Sequence, residues 1–433
     1  MAGCRSRHRR LLCRAGVPRP GPRQGVTSTR YALARTAGSL AAGLSRRTGR
    51  GDGTTVGGRI TLALDPTALE HAAGGRDFAI VSGTNGKSTT RTFLTAALLT
   101  RGPVVSNAGG ANLPTGLTAA LTRDRTARIG VLEVDEPFVP IVSEAVHPRV
   151  AVLLNLSRDQ LDRYAEVRRL AGIWRDALSR PEAPVAVANC DDPLVVWAAS
   201  AAATTVWVSA GQRWANDTAV CPACGGVITR DGADWSSDCG LRRPTPTWTV
   251  EGTQVTDPDG TRHQVTLAIP GDVNVGNAAM AAAAAALWDV TPADAFTAMT
   301  LIDEVEGRYL RTSFAGVPVR LLLAKNPAGW VEALSMVPDH EVGVVIAVNA
   351  RPADGRDPSW LWDVGFEVLR GRVAVATGER SRDVAVRLRY ADVDHTRVDD
   401  EAAALRAATK VGPVEVLANY TAFQTYRRVV GDG

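Results

Sequence analysis

From residue 77 the chain alternates short, almost uniformly apolar runs with longer segments in which apolar positions return every three or four residues. A continuous apolar run is what a strand shows when both faces of its sheet are covered, and the helical spacing between runs supplies the covering layers. DFAIVS (77–82), RIGVLEVDE (128–136), RVAVLLNLS (149–157), APVAVAN (183–189) and TTVWVSA (204–210) read as strands, and STTRTFLTAALLT (88–100) as a helix. A polar stretch rich in Cys, Gly and Asp interrupts the pattern at about 212–245, and the Ala-rich NVGNAAMAAAAAAL (274–287) closes the first unit as a helix. The alternation then resumes with VPVRLLLA (317–324), EVGVVIAVN (341–349), GRVAVATG (371–378) and GPVEVLANY (412–420) as strands. This pattern predicts an α/β protein of two units: a central parallel-sheet domain over 31–303 carrying a Cys-rich insert, and a C-terminal Rossmann-like α/β domain over 304–433.

Composition narrows the class. At 433 residues, two domains fit the prior of roughly 100 to 200 residues each. The net charge of +4 comes partly from the first 50 residues, which are Arg-rich and lack acids, so the remainder is near neutral and offers no basic face for nucleic acid. Residues 1–30 read as a basic tail or as an extension from an upstream start codon; their opening has no apolar core of the kind a secretory signal needs. No apolar run reaches the ~18 residues of a transmembrane segment. Six Cys, three of them clustered, do not form a disulfide framework, which predicts a cytoplasmic protein. Only three of the 49 basic residues are Lys (Lys87, Lys325 and Lys410), so each Lys is more informative than usual.

Lys87 ends AIVSGTNGKSTTRTFL (79–94), a glycine loop between a strand and a helix. Its first glycine, Gly83, stands closer to the Gly-Lys-Ser ending than in the common phosphate loop. Gly83 and Gly86 let the backbone approach a phosphate, the helix N-terminus adds partial positive charge, and Lys87 reaches the β and γ phosphates of a nucleotide. The Ser88 or Thr89 hydroxyl is the expected Mg²⁺ ligand. Glu133, Asp135 and Glu136 end the next strand, where carboxylates suit the same metal; Asn155, Asp159 and Gln160 follow the strand after that.

GTNGKST, LEVDE, NLSRDQLD, PGDVNVGNAAMAAAA and EGR, in this order, resemble the Mur ligases and folylpolyglutamate synthases, ATP-dependent amide-forming enzymes. The resemblance runs from about residue 31 to the end of the chain and makes the shortened loop that family's ATP loop. It implies ATP contacts from Gly83, Thr84, Asn85, Gly86, Lys87, Ser88 and Thr89, adenine contact from Asn277, phosphate contact from Arg308, and Mg²⁺ held by Ser88 and Glu133. Two departures are informative. Asp159-Gln160 stands where amino-acid-adding ligases carry Asp-His, and LLAKNPAGW, with Lys325 and Asn326, replaces their Asp-Tyr-Ala-His-Asn-Pro.

Those departures, together with NARPADGRDPSWLWDVGFE and LANYTAFQ, resemble the family's amidating branch. The branch converts the D-glutamate α-carboxylate of the lipid II stem peptide to D-isoglutamine through an acyl phosphate, at the inner face of the membrane. Ammonia comes from a GatD-type glutamine amidotransferase in a heterodimer, and the resemblance assigns Asp357, with Asp363 as runner-up, to complete the partner's catalytic triad. Catalytic roles thus fall to Lys87, Arg308 and Asp357. Two alternatives remain: an amino-acid-adding ligase or folylpolyglutamate synthase-like enzyme, and an ATP-binding regulatory scaffold.

CPACGG (221–226) has zinc-knuckle spacing, since Cys221 and Cys224 on a tight turn point two thiolates at one metal. Cys239 is the third thiol, and Ser236 stands where a fourth Cys is expected. The reading is a zinc ribbon one ligand short, with Asp238, a His or water as the substitute.

Overall fold

A computed structural model describes residues 28–48, 54–158, 167–305, 308–339 and 341–431. The central sheet has nine strands in the order β11-β10-β9-β6-β5-β4-β1-β3-β2. They are β1 (Asp77–Ser82), β2 (Val104–Ser106), β3 (Ile129–Glu133), β4 (Val150–Leu153), β5 (Val185–Asn189), β6 (Thr205–Ser209), β9 (Trp248–Glu251), β10 (Gln254–Thr256) and β11 (Arg262–Gln264). From β2 to β9 every pairing is parallel; β9, β10 and β11 form an antiparallel meander on one edge. Between β6 and β9 lies the Cys-rich insert with a small hairpin, β7 (Thr229–Asp231) and β8 (Asp234–Ser236).

Strand alternation sends residues to two covered faces, as the continuous apolar runs require. Ala79 and Val81 of β1 join Phe93, Leu94 and the alanines of the helix Asp272–Ala285. Phe78 and Ile80 pack on the other side with Leu117, Val142, Trp174 and Leu194. The Ala-rich helix is buried from Asn274 to Ala285, and its small side chains let it lie against both the sheet and the helix Lys87–Leu99. At Gly276 a Cβ would stand 2.1 Å from the Ala210 carbonyl oxygen, so this turn of the helix needs glycine.

The second sheet runs β12-β13-β17-β14-β15-β16, from β12 (Tyr309–Phe314), β13 (Val317–Leu323), β14 (Gly343–Ala347), β15 (Val373–Thr377), β16 (Asp394–Arg397) and β17 (Val414–Ala418). β12 is antiparallel to β13 and the other pairings are parallel. One face, with Val345, Val416, Phe423 and Tyr426, forms its own core. The other, with Val344, Ile346 and Trp330, belongs to an apolar core continuous with the central sheet through Val305, Tyr309 and Leu322.

All the strands read from apolar runs form. The α/β class therefore holds, with each sheet mixed rather than wholly parallel at one edge. The strands that pattern reading missed are short or polar: RHQ of β11 and DHTR of β16 lie at edges facing water, where no apolar run is needed. The first helix, Thr29–Arg47, begins inside the segment read as a tail, with Ser28 Oγ accepting from Tyr31 N–H at 3.0 Å; residues 1–27 lie outside the described residues. Among the described residues no helix is long and apolar enough to cross a membrane.

The Gly276 contact generates a test. Gly276→Ala pushes a methyl group into a backbone carbonyl that cannot retreat, and should lower stability by about 1–3 kcal/mol in denaturant titration. An unchanged midpoint would mean that the helix is free to slide off the sheet.

Candidate active site

The glycine loop leaves β1 at Ser82 and enters the helix Lys87–Leu99 at Gly86. Gly86 has φ +86°, and a Cβ there would lie 2.7 Å from Asn277 Oδ1, so only glycine fits. The loop is fastened to the segment after β4. Thr84 N–H donates to Asn155 O, and Asn85 N–H to Asn155 Oδ1, both at 2.9 Å; Asn155 Nδ2 returns a bond to Asn85 O at 3.0 Å. Ser157 N–H adds a bond to Thr84 Oγ1 at 3.0 Å. Two loop amides are thus already engaged. The amides that face an anion are those of the first helical turn, from Gly86 to Thr89, which a helix leaves without intrahelical acceptors. Asn155 therefore serves as the brace of the loop, while Asp159 and Gln160 lie outside the described residues.

Lys87 and Ser88 are buried, and each faces a carboxylate at the end of β3. Lys87 Nζ donates to Glu136 Oε1 at 3.1 Å and to Gly83 O at 2.5 Å, and Asp135 lies 3.9 Å away. Burial pushes the Glu136 carboxyl up to about 7, opposed by Lys87 and assisted by Asp135. Ser88 Oγ donates to Glu133 Oε2 at 2.8 Å. Among the described residues Glu133 Oε1 is buried without a hydrogen-bond partner, while Arg91 Nε lies 3.6 Å from Oε2. A lone buried carboxylate oxygen next to a serine hydroxyl at a phosphate loop suits Mg²⁺, an oxygen-seeking cation, so Ser88 and Glu133 fit the metal expected of them.

Beyond the loop a cavity opens between the two sheets' domains. Gly86, Ser88 and Thr89 lie at its head, and Asn274, Asn277, Arg308 and Glu332 supply its polar side chains; Ile269, Pro270, Leu322 and Met336 are among its apolar walls. Asn277 Nδ2 bonds Asn274 Oδ1 at 3.2 Å, and Arg308 lies at the junction just before β12. Sequence reading did not single out Glu332. Burial raises its carboxyl to about 7 although Arg213 stands 3.6 Å away, because desolvation outweighs one ion pair at that distance.

A second pocket joins the end of β13 to the Asp-Trp loop, with Lys325, Asn326, Asp354, Asp357 and Asp363 in its wall. Asn326 Oδ1 caps the helix Pro327–Ser335 through Gly329 N–H at 2.8 Å. The same oxygen accepts from Asn85 Nδ2 at 3.2 Å, and Asn326 Nδ2 donates to Asn85 Oδ1 at 3.3 Å, so the C-terminal domain touches the phosphate loop directly. Lys325 Nζ lies 5.2 Å over the Tyr420 ring. Asp357 is exposed and accepts from Ser359 N–H at 2.8 Å, a local turn bond. Asp363 instead pairs with Arg158 of the central domain at 3.3 Å, and Arg158 also binds Asp217. Both carboxylates are exposed; Asp363 is engaged by Arg158, and Asp357 by its own turn.

The Cys221, Cys224 and Cys239 sulfurs all lie within 4.8 Å of one another, and Cys221 and Cys239 are 3.6 Å apart. The serine beside them is Ser237, not Ser236. Ser237 Oγ is 3.5 Å from Cys224 Sγ and 3.8 Å from Cys239 Sγ, whereas Ser236 lies in β8, where its neighbour Trp235 is the residue packed inward. Strand alternation explains the correction: a one-residue step changes the face. The Ser237 hydroxyl lowers the Cys224 thiol to about 6, which favours the thiolate a metal needs. Three convergent sulfurs and one hydroxyl fit a tetrahedral zinc site with a weak fourth corner.

The fold, the shortened loop and the carboxylates behind it define a Mur ligase. Residues 81–285 match the model of the Mur ligase middle domain, and residues 323–423 that of the MurT ligase C-terminal domain. The chain is 29% identical over 383 residues to the MurT subunit of the glutamine-hydrolysing lipid II isoglutaminyl synthase of Staphylococcus aureus strain N315, covering 82% of this chain and 86% of that one. Against the MurT subunit of Streptococcus pneumoniae strain ATCC BAA-255 / R6 it is 26% identical over 420 residues, covering 88% and 93%. Among solved structures, a pseudomurein peptide ligase type C from Methanothermus fervidus superimposes with a TM-score of 0.64 at 20% identity, covering 82% of this chain and 79% of that one. The chain belongs to the Mur ligase family, in its MurT branch.

Two tests follow from this geometry. Between about pH 4.5 and 7 folded Glu332 keeps a proton that the unfolded chain has released, so its contribution to stability is lost as pH rises through that window. Glu332→Gln should therefore reduce the fall in unfolding free energy between pH 5 and pH 8 by about 1–2 kcal/mol, leaving the share due to Glu136. For the thiol cluster, Ser237→Cys loaded with zinc should keep the metal through a chelator wash that strips part of it from parent protein loaded in the same way, read by metal analysis. Equal retention would show that Ser237 does not border the metal.

Proposed function

We propose that this chain is the ATP-dependent synthetase subunit that amidates the D-glutamate α-carboxylate of lipid II, working with a GatD-type glutamine amidotransferase. The observation that carries the reading is the meeting of Asn85 and Asn326, which brings the ATP loop and the Lys325–Asp357 loop cluster to one cleft. In this reading residues 31–303 bind ATP and residues 304–433 complete the site.

The substrate carboxylate attacks the γ-phosphorus of ATP, ADP leaves, and an acyl phosphate forms; ammonia then attacks the acyl carbon and expels phosphate, leaving the amide. Amides of the first turn, from Gly86 to Thr89, cradle the phosphates. Lys87 exchanges its contact with Gly83 O for the developing charge on the γ-phosphoryl group, and Arg308 adds charge from the domain junction. Mg²⁺, held by Ser88 and Glu133, would supply charge neutralisation at the phosphates. Asn277 borders the base, next to the apolar wall of the cavity.

Asp357 reaches outward to the partner's catalytic histidine. Its neighbourhood supports a docking surface: Trp362 is 56% and Tyr390 72% exposed, with ring centroids 5.3 Å apart, and Val386 stands one helical turn before Tyr390. Exposed Trp and Tyr side by side are characteristic of protein interfaces. The Cys cluster is read as a structural zinc ribbon.

The test is mass spectrometry of lipid II incubated with ATP, glutamine and the co-purified pair. Amidation appears as replacement of a hydroxyl by an amino group. Lys87→Ala should abolish it even with free ammonia, because ATP is no longer activated. Asp357→Asn should abolish glutamine-driven amidation yet be restored by ammonium salt; failure of that rescue would remove Asp357 from the glutaminase step.

A further inference from the structure

The N-terminal helix Thr29–Arg47 has two unlike faces. Its inner side is built for close approach: Ala34 and Gly38 are buried, and a Cβ on Gly38 would meet Thr61 Oγ1 of the helix Thr54–Leu64 at 2.0 Å. Its outer side carries Leu33, Leu40 and Leu44, exposed to 68%, 71% and 64%. At 100° per residue these three fall within about 40° of one another and extend over about 17 Å of helix. Single exposed leucines are ordinary on a protein surface, but a straight stripe of three, each about two-thirds exposed, is not.

Charge says what kind of surface the stripe meets. Arg30, Arg46 and Arg47 are exposed on this helix, Arg59 on the next, and the sequence holds no Asp or Glu from residue 1 to residue 51. Val56 and Leu64 of the second helix add exposed apolar side chains. Arg47 lies about 40° and Arg30 about 60° from Leu33 around the helix, and a leucine stripe flanked by arginines on a helix with no acid of its own matches a layer that is negative at its surface and apolar just beneath. A second copy of this chain would bring the same arginines against themselves, which opposes pairing through this face.

We propose that the outer face of the helix Thr29–Arg47 docks on an anionic membrane surface, the leucines entering the headgroup boundary and the arginines pairing with lipid phosphates. The inference rests on the reading that the substrate is lipid-linked. Such docking would confine the enzyme to the plane in which that substrate diffuses.

The full chain is sedimented with vesicles of phosphatidylglycerol and phosphatidylcholine, or of phosphatidylcholine alone, without lipid II. Partition onto the anionic vesicles should be about tenfold higher and should fall with salt. Leu33→Gln/Leu40→Gln/Leu44→Gln should reduce it about tenfold, with an unchanged melting temperature and unchanged amidation of detergent-solubilised lipid II in the presence of the glutaminase. Arg46→Gln/Arg47→Gln should flatten the salt dependence. The proposal is overturned if the parent protein stays in the supernatant, if the leucine variant sediments equally, or if light scattering shows a dimer that the leucine variant dissolves. Because the vesicles contain no substrate, a failure to amidate solubilised lipid II would strike the functional reading alone.

Discussion

Asn85 is held from two domains at once, and the arrangement of the active site depends on it. Its backbone N–H is bound to the side chain of Asn155 behind β4, and its side chain exchanges two hydrogen bonds with Asn326 at the start of a C-terminal helix. The first contact fixes the loop's shape. The second ties the loop to the domain that carries Lys325 and Asp357. The Asn85 side chain meets Asn326 twice because an amide is donor and acceptor together, and none of these contacts places a negative charge at the phosphate loop.

Around that junction the protein buries charge in a graded way. Lys87 is matched by Glu136, and Ser88 and Arg91 face one oxygen of Glu133, whose other oxygen has no hydrogen-bond partner among the described residues. A fully satisfied cluster would be a structural brace, and an unsatisfied one marks a place for a ligand. Burial also pushes Glu136 and Glu332 well above the usual carboxylate range, which makes the fold less stable as the solution becomes more alkaline. The apolar core running from the central sheet through Val305, Tyr309 and Leu322 into the second sheet gives this costly arrangement a firm backing.

Much of the molecule was legible in one dimension, for reasons that differ from element to element. The buried strands declared themselves because a doubly covered strand must be apolar throughout, whereas β11 and β16 face water and show no such run. The glycine loop was legible because Gly86 has φ +86° and no room for a side chain. Ser237 was misjudged as Ser236, since the turn after β8 determines which serine meets the sulfurs and spacing does not. That Arg158, from another domain, pairs with Asp363 was likewise not written in the spacing of the Asp-Trp segment.

The sequence by itself determined the α/β class, the ATP loop with its lysine and hydroxyl, the candidate carboxylates and the three-cysteine insert. Each of these is written in local periodicity or in residue types that a local conformation demands. Tertiary structure alone decided that Asn155 braces the loop and that Glu332 enters the cavity between the two domains. It also decided which aspartate pairs with Arg158 and which serine borders the thiol cluster. These are relations between segments up to 241 residues apart, and no local rule encodes which of many similar polar side chains will meet once two sheets have packed.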